Sequence, residues 1–325
     1  MNQEVATLAQ RILNGDAACT RDEALRLTGA DTNVHDLLYW ANRIREKFRG
    51  DEVKACSIIS VRTGGCSEDC AFCAQSARHK TNAPVHDFLP VAEVARAARG
   101  VRKSGAYAFS VVMSGYGPKN DKDMQTLVDY LRAIGDAGGV EQHGGFGILN
   151  DAQVKRLKAA GLSCCNQNLE TSRRFFPQIC TTHTYDDRVA TLKALRANGV
   201  RICSGGLFGL GETWEDRVDL ALDLRELGSQ NVPMNFLNRI DGTPLAAREP
   251  MSPWEILRNI AVYRFILHDR DIGVYGGREV NLRDLQALIF MAGANALMVG
   301  NYLTTAGRPA ELDVQMVKDL GLRLK

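Results

Sequence analysis

Three cysteines, Cys66, Cys70 and Cys73, stand at a C-x3-C-x2-C spacing inside the run Gly65 to Ala77, and no further cysteine follows before Cys164. Thiolates in so short a loop can converge on one metal centre, because the loop itself closes the ring. A closed zinc site takes four ligands, and a four-iron cluster held by cysteine alone also takes four. Three ligands imply a cluster with one iron left open, the arrangement needed when a cofactor must bind iron directly. A zinc knuckle that borrows His79 or His86 as its fourth ligand is the alternative reading of the same residues.

A second stretch, Gly205 to Thr213, carries glycines at 205, 206, 209 and 211. Such density lets backbone approach a ligand closely. It is not a dinucleotide fingerprint, because Trp214 stands where the third glycine should be. The loop is expected to pack against a nucleoside or methionine moiety, with a plain strand-to-helix turn as the alternative.

The elements that must position these residues belong to an ordinary globular chain of 325 residues, 45% apolar and 24% charged. A net charge of +2 gives no case for nucleic acid or an anionic membrane as partner. No apolar run approaches the ~18 residues of a membrane span, and the first residues lack a secretory signal. Nine cysteines, odd in number and clustered, argue against a disulfide framework and for metal in a reducing compartment, by default the cytoplasm.

Residues 1–50 read as a helical extension, a lid under or beside the main domain, with Thr20 and Glu23 forming a capping box. Residues 51–325 then alternate short β-rich runs with amphipathic helical ones. Strands are expected at Ala55–Val61, Ala106–Met113, Gly139–His143, Leu162–Asn168, Val200–Gly205, Val232–Leu237, Ile272–Tyr275 and Ala296–Val299. Helices fill the gaps, with Asn150 and Ser252 as caps. Eight strands alternating with helices predict a parallel sheet closed as a TIM-type (β/α)8 barrel, an open doubly wound sheet being the alternative. Active-site residues of such a barrel fall at the C-terminal ends of strands. There lie the cysteine loop after strand one, Asn166, Asn168 and Glu170 at strand four, Cys203 in strand five, Asn235 ending strand six and Arg278 after strand seven.

The cysteine spacing resembles that of the radical S-adenosylmethionine (SAM) enzymes. Asn166-Gln-Asn168-Leu-Glu170, Cys203-Ser-Gly-Gly, Gly209-Leu-Gly-Glu-Thr213, Asn235 ahead of Gly242-Thr-Pro-Leu, Gly277-Arg278-Glu and Met291-Ala-Gly-Ala-Asn295 together resemble the biotin synthase family, in order from about residue 50 onward. The resemblance implies that Cys66, Cys70 and Cys73 hold a [4Fe–4S] cluster whose open iron is chelated by SAM. Reductive cleavage of SAM then yields a radical that takes hydrogen from dethiobiotin, and an auxiliary iron–sulfur cluster supplies the sulfur. Asn168 and Asn235 match positions near substrate or SAM, where an amide offers both donors and an acceptor. Glu170 matches an acid that accepts from ribose hydroxyls, and Arg188 an arginine on the SAM side. A flavodoxin or ferredoxin as electron donor, the iron–sulfur assembly machinery as partner and a homodimeric state are implied by the family alone.

The chain departs from the family at the auxiliary cluster, usually a [2Fe–2S] centre held by three cysteines and an arginine. Two of those cysteines fall on Ser110 and His143, leaving Cys203 and Arg278 in kind. Cys56, Cys180 and Cys203 are spare thiols that, if they point into the barrel, can hold a different, larger cluster with His143 or Arg278 completing it. Cys164 and Cys165 are adjacent in one strand and face opposite sides, so one of them at most serves a central site. Two other functions compete. A radical SAM relative of the hydrogenase-maturation type needs no sulfur donor, and a non-catalytic iron–sulfur carrier needs no open iron.

Overall fold

The computed structural model describes residues 2–305 and 307–325. Three helices come first, α1 (Gln3–Asn14), α2 (Arg21–Leu27) and α3 (Val34–Arg49). The alternating part runs β1 (Glu52–Arg62), α4 (Val91–Val101), β2 (Ala108–Met113), α5 (Asp121–Ala137), β3 (Glu141–Gly145), α6 (Asp151–Ala159), β4 (Cys164–Asn166), α7 (Tyr185–Ala197), β5 (Arg201–Cys203) and β6 (Gly206–Phe208). It continues with α8 (Trp214–Leu227), β7 (Asn231–Phe236), α9 (Pro253–Ile266), β8 (Asp271–Val274), α10 (Arg278–Leu282), α11 (Leu288–Met291), β9 (Ala296–Met298), α12 (Ala310–Asp319) and β10 (Arg323–Leu324).

Successive strands pair in parallel, and β9 returns to β1 through Lys54↔Ala296 and Ala55↔Leu297, which closes the sheet. The result is a TIM-type barrel of eight walls with helices outside. The open doubly wound alternative is thereby excluded. The fifth wall is made of two pieces: Cys203 of β5 pairs with Asn231 of β7, and Gly206 of β6 pairs with Met234 of the same strand. Between them the Gly205 carbonyl accepts from the amides of Leu169 (3.1 Å) and Glu170 (3.2 Å), in the loop that follows β4. A side chain at Gly205 would stand 1.9 Å from the Pro233 carbonyl oxygen, so the chain can pass here only as glycine. The same two hydrogen bonds explain why β4 stops at Asn166, short of the expected Asn168. The backbone beyond it spends its donors on the broken wall.

Capping follows the sequence. Thr20 and Glu23 form the capping box of α2, and the Ser252 hydroxyl accepts from the Glu255 amide at 3.1 Å. The first three helices lie beside the barrel. Arg258 of α9 donates to the carbonyls of Leu27, Gly29 and Thr32, and Arg225 of α8 to that of Cys19. Their apolar faces merge into one hydrophobic core with the barrel helices. No described residue of this segment lines the central cavity.

Candidate active site

A cavity of about 330 Å³ occupies the barrel, with Phe72, Cys73 and Gln75 of the loop after β1 at one end and Cys56, Cys164 and Cys203 at the other. Asn166, Asn168 and Asn235 line the wall between.

The cysteine loop is closed on itself by Cys66 N–H to the Gln75 carbonyl (3.0 Å) and Ala77 N–H to the Cys66 carbonyl (2.8 Å). It is clamped from outside by Asp69, whose carboxylate accepts from the Thr181 amide at 2.9 Å and from the Thr182 hydroxyl at 3.1 Å, and by Ala71 N–H to the Ile179 carbonyl at 2.8 Å. Burial pushes the Cys73 thiol up, and backbone hydrogen bonding from Gln75 and Ser76 opposes that rise. Such hydrogen bonding suits a sulfur that ligates iron.

Sulfurs on one tetrahedral zinc lie roughly 3.8 Å apart, given Zn–S bonds of ~2.3 Å. Among the described residues the three metal-ligating side chains that gather within 4.8 Å are Cys70, Cys180 and His183, and not the three loop thiols. His79 turns its Nε2 to the Cys70 carbonyl (3.1 Å) and His86 its Nδ1 to the Asp87 carbonyl (2.8 Å), and neither stands with two loop thiols in a group close enough for one ion.

The loop after β4 carries the polar side of the cavity. Glu170 sits at φ +69°, a left-handed conformation that a residue with a β-carbon adopts only under constraint. Its N–H and C=O are both held, by Gly205 and by the Leu207 amide (2.8 Å). Burial raises the Glu170 carboxyl, and Arg188 opposes that from 3.3 Å. Arg188 also donates to the Asn168 carbonyl at 2.5 Å. Asn168 and Glu170 thus stand together, as the sequence motif anticipates. Asn235 lines the cavity but uses both ends of its amide on backbone, donating to the Gly206 carbonyl at 3.2 Å and accepting from the Gly276 amide at 2.9 Å. The glycine-rich run folds around Glu212, whose carboxylate accepts from the amides of Gly209, Leu210 and Gly211. Of that run only Leu207 lines the central cavity, while Gly209 and Gly211 line a second cavity with Glu212, Arg217 and Arg248.

Family models for the Radical SAM superfamily and for the Biotin and Thiamin Synthesis associated domain match residues 60–224 and 233–323. A biotin synthase of Geobacter sulfurreducens is 46% identical over 322 residues, which span 98% of this chain and 97% of that protein. The chain belongs to the biotin synthase family. A second biotin synthase, of Heliobacterium modesticaldum, is 45% identical over 321 residues, 99% of this chain and 97% of that one. Among solved structures, methylornithine synthase (PylB) matches with a TM-score of 0.85 at 19% identity, over 98% of this chain and 97% of its own. HydG, a maturase of the [FeFe]-hydrogenase, matches with a TM-score of 0.85 at 16% identity, over 100% of this chain and 76% of its own. These two likenesses show the barrel fold.

The positions compared above with the auxiliary cluster of the biotin synthase family divide into two groups. Cys56, Ser110, His143 and Cys203 all line the cavity floor. Arg278 does not. It is wholly buried at the start of α10, where its guanidinium grips both carboxylate oxygens of Asp313 of α12 at 2.9 and 2.8 Å and Oε1 of the Gln286 side chain at 2.8 Å, leaving only Nε without a partner. An arginine spent in this way cannot also reach a metal in the cavity, which corrects the expectation for Arg278. Cys180 is likewise displaced. It lies 3.8 Å from the Cys70 sulfur and 3.3 Å from Nδ1 of His183, beside the cysteine loop and not on the floor.

Sequence reasoning left open which of Cys164 and Cys165 serves the central site: Cys164 lines the floor, while Cys165 packs into the core. Two-residue parity along β4 was the available signal; which of the pair faces inward needed the register His143↔Cys164.

Proposed function

We propose that this protein converts dethiobiotin to biotin by radical SAM sulfur insertion. What carries the reading is one cavity with a three-thiol loop at its mouth and a second set of thiols at its floor. A substrate lying between them can face a hydrogen-abstracting radical from above and a sulfur donor from below. When bound, the cluster and SAM supply that radical, chemistry beyond any side chain.

The chain's own residues do the rest. Cys66, Cys70 and Cys73 hold the cluster through a loop fixed by its own amides and by Asp69. Arg188 places the Glu170 carboxylate and the Asn168 loop on the SAM side, and Glu170 accepts from ribose hydroxyls. Asn168 and Asn166 present amides to the wall where the ureido ring of dethiobiotin needs donors and acceptors, while Asn235 holds the backbone of that wall through Gly206 and Gly276. Phe72 covers the mouth and excludes water. The sulfur comes from an auxiliary iron–sulfur cluster on the floor.

All nine cysteines are free, which suits work in the reducing cytoplasm. No described helix is long and apolar enough to cross a membrane. A flavodoxin or ferredoxin supplies the electrons, the iron–sulfur assembly machinery loads the clusters and the protein works as a homodimer; these three follow the family. The hydrogenase-maturation reading loses ground because that likeness stops at the fold, whereas identity to biotin synthases runs at 43–46% over nearly the whole chain.

The test is turnover under strict anaerobiosis with SAM, a low-potential reductant and dethiobiotin. Biotin together with 5′-deoxyadenosine is expected; 5′-deoxyadenosine without biotin would refute sulfur insertion.

A further inference from the structure

Ser110 and His143 replace two family thiols, and Arg278 is committed to Asp313. The family's ligand set therefore does not fit this barrel. The floor nevertheless carries three inward thiols from three different walls: Cys56 on β1, Cys164 on β4 and Cys203 on β5.

Each of these sulfurs faces a polar hydrogen. Nδ2 of Asn231 donates to Cys164 at 3.3 Å, and Nδ2 of Asn166 points at Cys203 from 3.6 Å. The hydroxyls of Tyr107 and Tyr275 are within hydrogen-bonding reach of Cys56. Donors of this kind steady and tune thiolate ligands of an iron–sulfur centre. A buried cysteine that merely fills space needs none of them.

The eighth strand adds a further sign. Gly273 of β8 has no side chain, and a β-carbon there would meet the Tyr275 hydroxyl at 2.5 Å. The place from which that strand would reach the floor is filled by the ring that serves Cys56.

We propose that Cys56, Cys164 and Cys203 are the protein ligands of the auxiliary cluster, in place of three cysteines and an arginine. A fourth corner free of protein then faces the cavity and the substrate. This rests on the reading of the chain as a sulfur-inserting enzyme, and the test keeps the two apart.

The protein is reconstituted anaerobically, and its iron, acid-labile sulfide and Mössbauer spectrum are compared in three forms: unaltered, with Cys56, Cys164 and Cys203 changed to Ser, and with Cys66, Cys70 and Cys73 changed to Ser. Two separable iron populations are expected in the unaltered protein. The floor variant loses one population and all biotin formation while still releasing 5′-deoxyadenosine, which also reports an intact fold. The loop variant loses the other population. Single Cys56→Ser, Cys164→Ser and Cys203→Ser variants each lower the floor population, and Cys180→Ser lowers neither. Equal iron and sulfide in the floor variant and the unaltered protein would overturn the ligand set, as would loss of the floor population on changing Cys180 in place of Cys164. If the unaltered protein makes no biotin yet the floor variant still loses its iron, sulfur insertion fails and the metal site stands.

Discussion

Nε2 of His183 accepts hydrogen bonds from Nε and Nη2 of Arg188, at 3.1 and 2.9 Å. A guanidinium only donates, so Nε2 carries no proton and Nδ1 does. Nδ1–H then reaches Oε2 of Glu68 at 2.7 Å, inside the cysteine loop. On its far side Arg188 holds the Asn168 carbonyl and the Glu170 carboxylate. A buried chain Glu68–His183–Arg188–Glu170 thus joins the loop at the cavity mouth to the residues proposed to bind SAM.

His183 is accordingly a positioning residue, and its removal should act on SAM and not on iron. Hydrogen bonds to charged groups are worth about 1.5–3 kcal/mol. His183→Ala is expected to raise KM for SAM roughly tenfold or more, at 1.36 kcal/mol per tenfold. Iron content should stay at the unaltered level, and His183→Gln, which can accept and donate, should recover part of the loss. Iron loss in His183→Ala with an unchanged KM for SAM would contradict this role.

Glu170 trades stability for a carboxylate in place. A left-handed residue with a β-carbon costs about 1–2 kcal/mol, and asparagine tolerates that conformation better. Glu170→Asn relieves that strain but takes from the buried Arg188 its carboxylate partner at 3.3 Å, so Tm should change little while KM for SAM rises. Thermal unfolding and SAM titration check both halves; a drop in Tm by several degrees would show that the carboxylate stabilises the fold and does not strain it.

Arg278 gives the opposite pattern. Removing one partner of a buried ion pair leaves an uncompensated charge and costs about 3–5 kcal/mol. Asp313 is 1% exposed, so Arg278→Met should lower the unfolding free energy by about that much. Iron and sulfide per folded molecule should not change. Asp313→Asn should destabilise in the same direction. Loss of one cluster in otherwise stable Arg278→Met would restore the arginine as a ligand.

The barrel was readable because each wall announces itself locally. All eight expected strands overlap observed ones, and helices fill the gaps between them as expected, α8 for one being bounded by the Thr213 cap and by Gly228 at φ +75°. The split between β5 and β6 was not readable, because it is imposed from outside by the amides of Leu169 and Glu170. The three loop cysteines needed only spacing. Cys164, Cys180 and Arg278 needed direction, which spacing does not carry. Cys180 follows the turn Phe176–Gln178 that swings it behind Cys70, and Arg278 is drawn off by Asp313, thirty-five residues further along the chain. The helices α10 and α11 are only about one turn long, too short to show an apolar period.

The account stands on one iron at the three-cysteine loop remaining open to SAM. Electron–nuclear double resonance of the reduced protein with SAM labelled by 15N and 17O in its amino and carboxylate groups tests that directly. Hyperfine coupling from both labels to the cluster is predicted, and it should disappear when Cys66, Cys70 and Cys73 are changed to Ser. A cluster signal that ignores labelled SAM, or a loop that takes up zinc in a closed tetrahedron in place of iron, would contradict it.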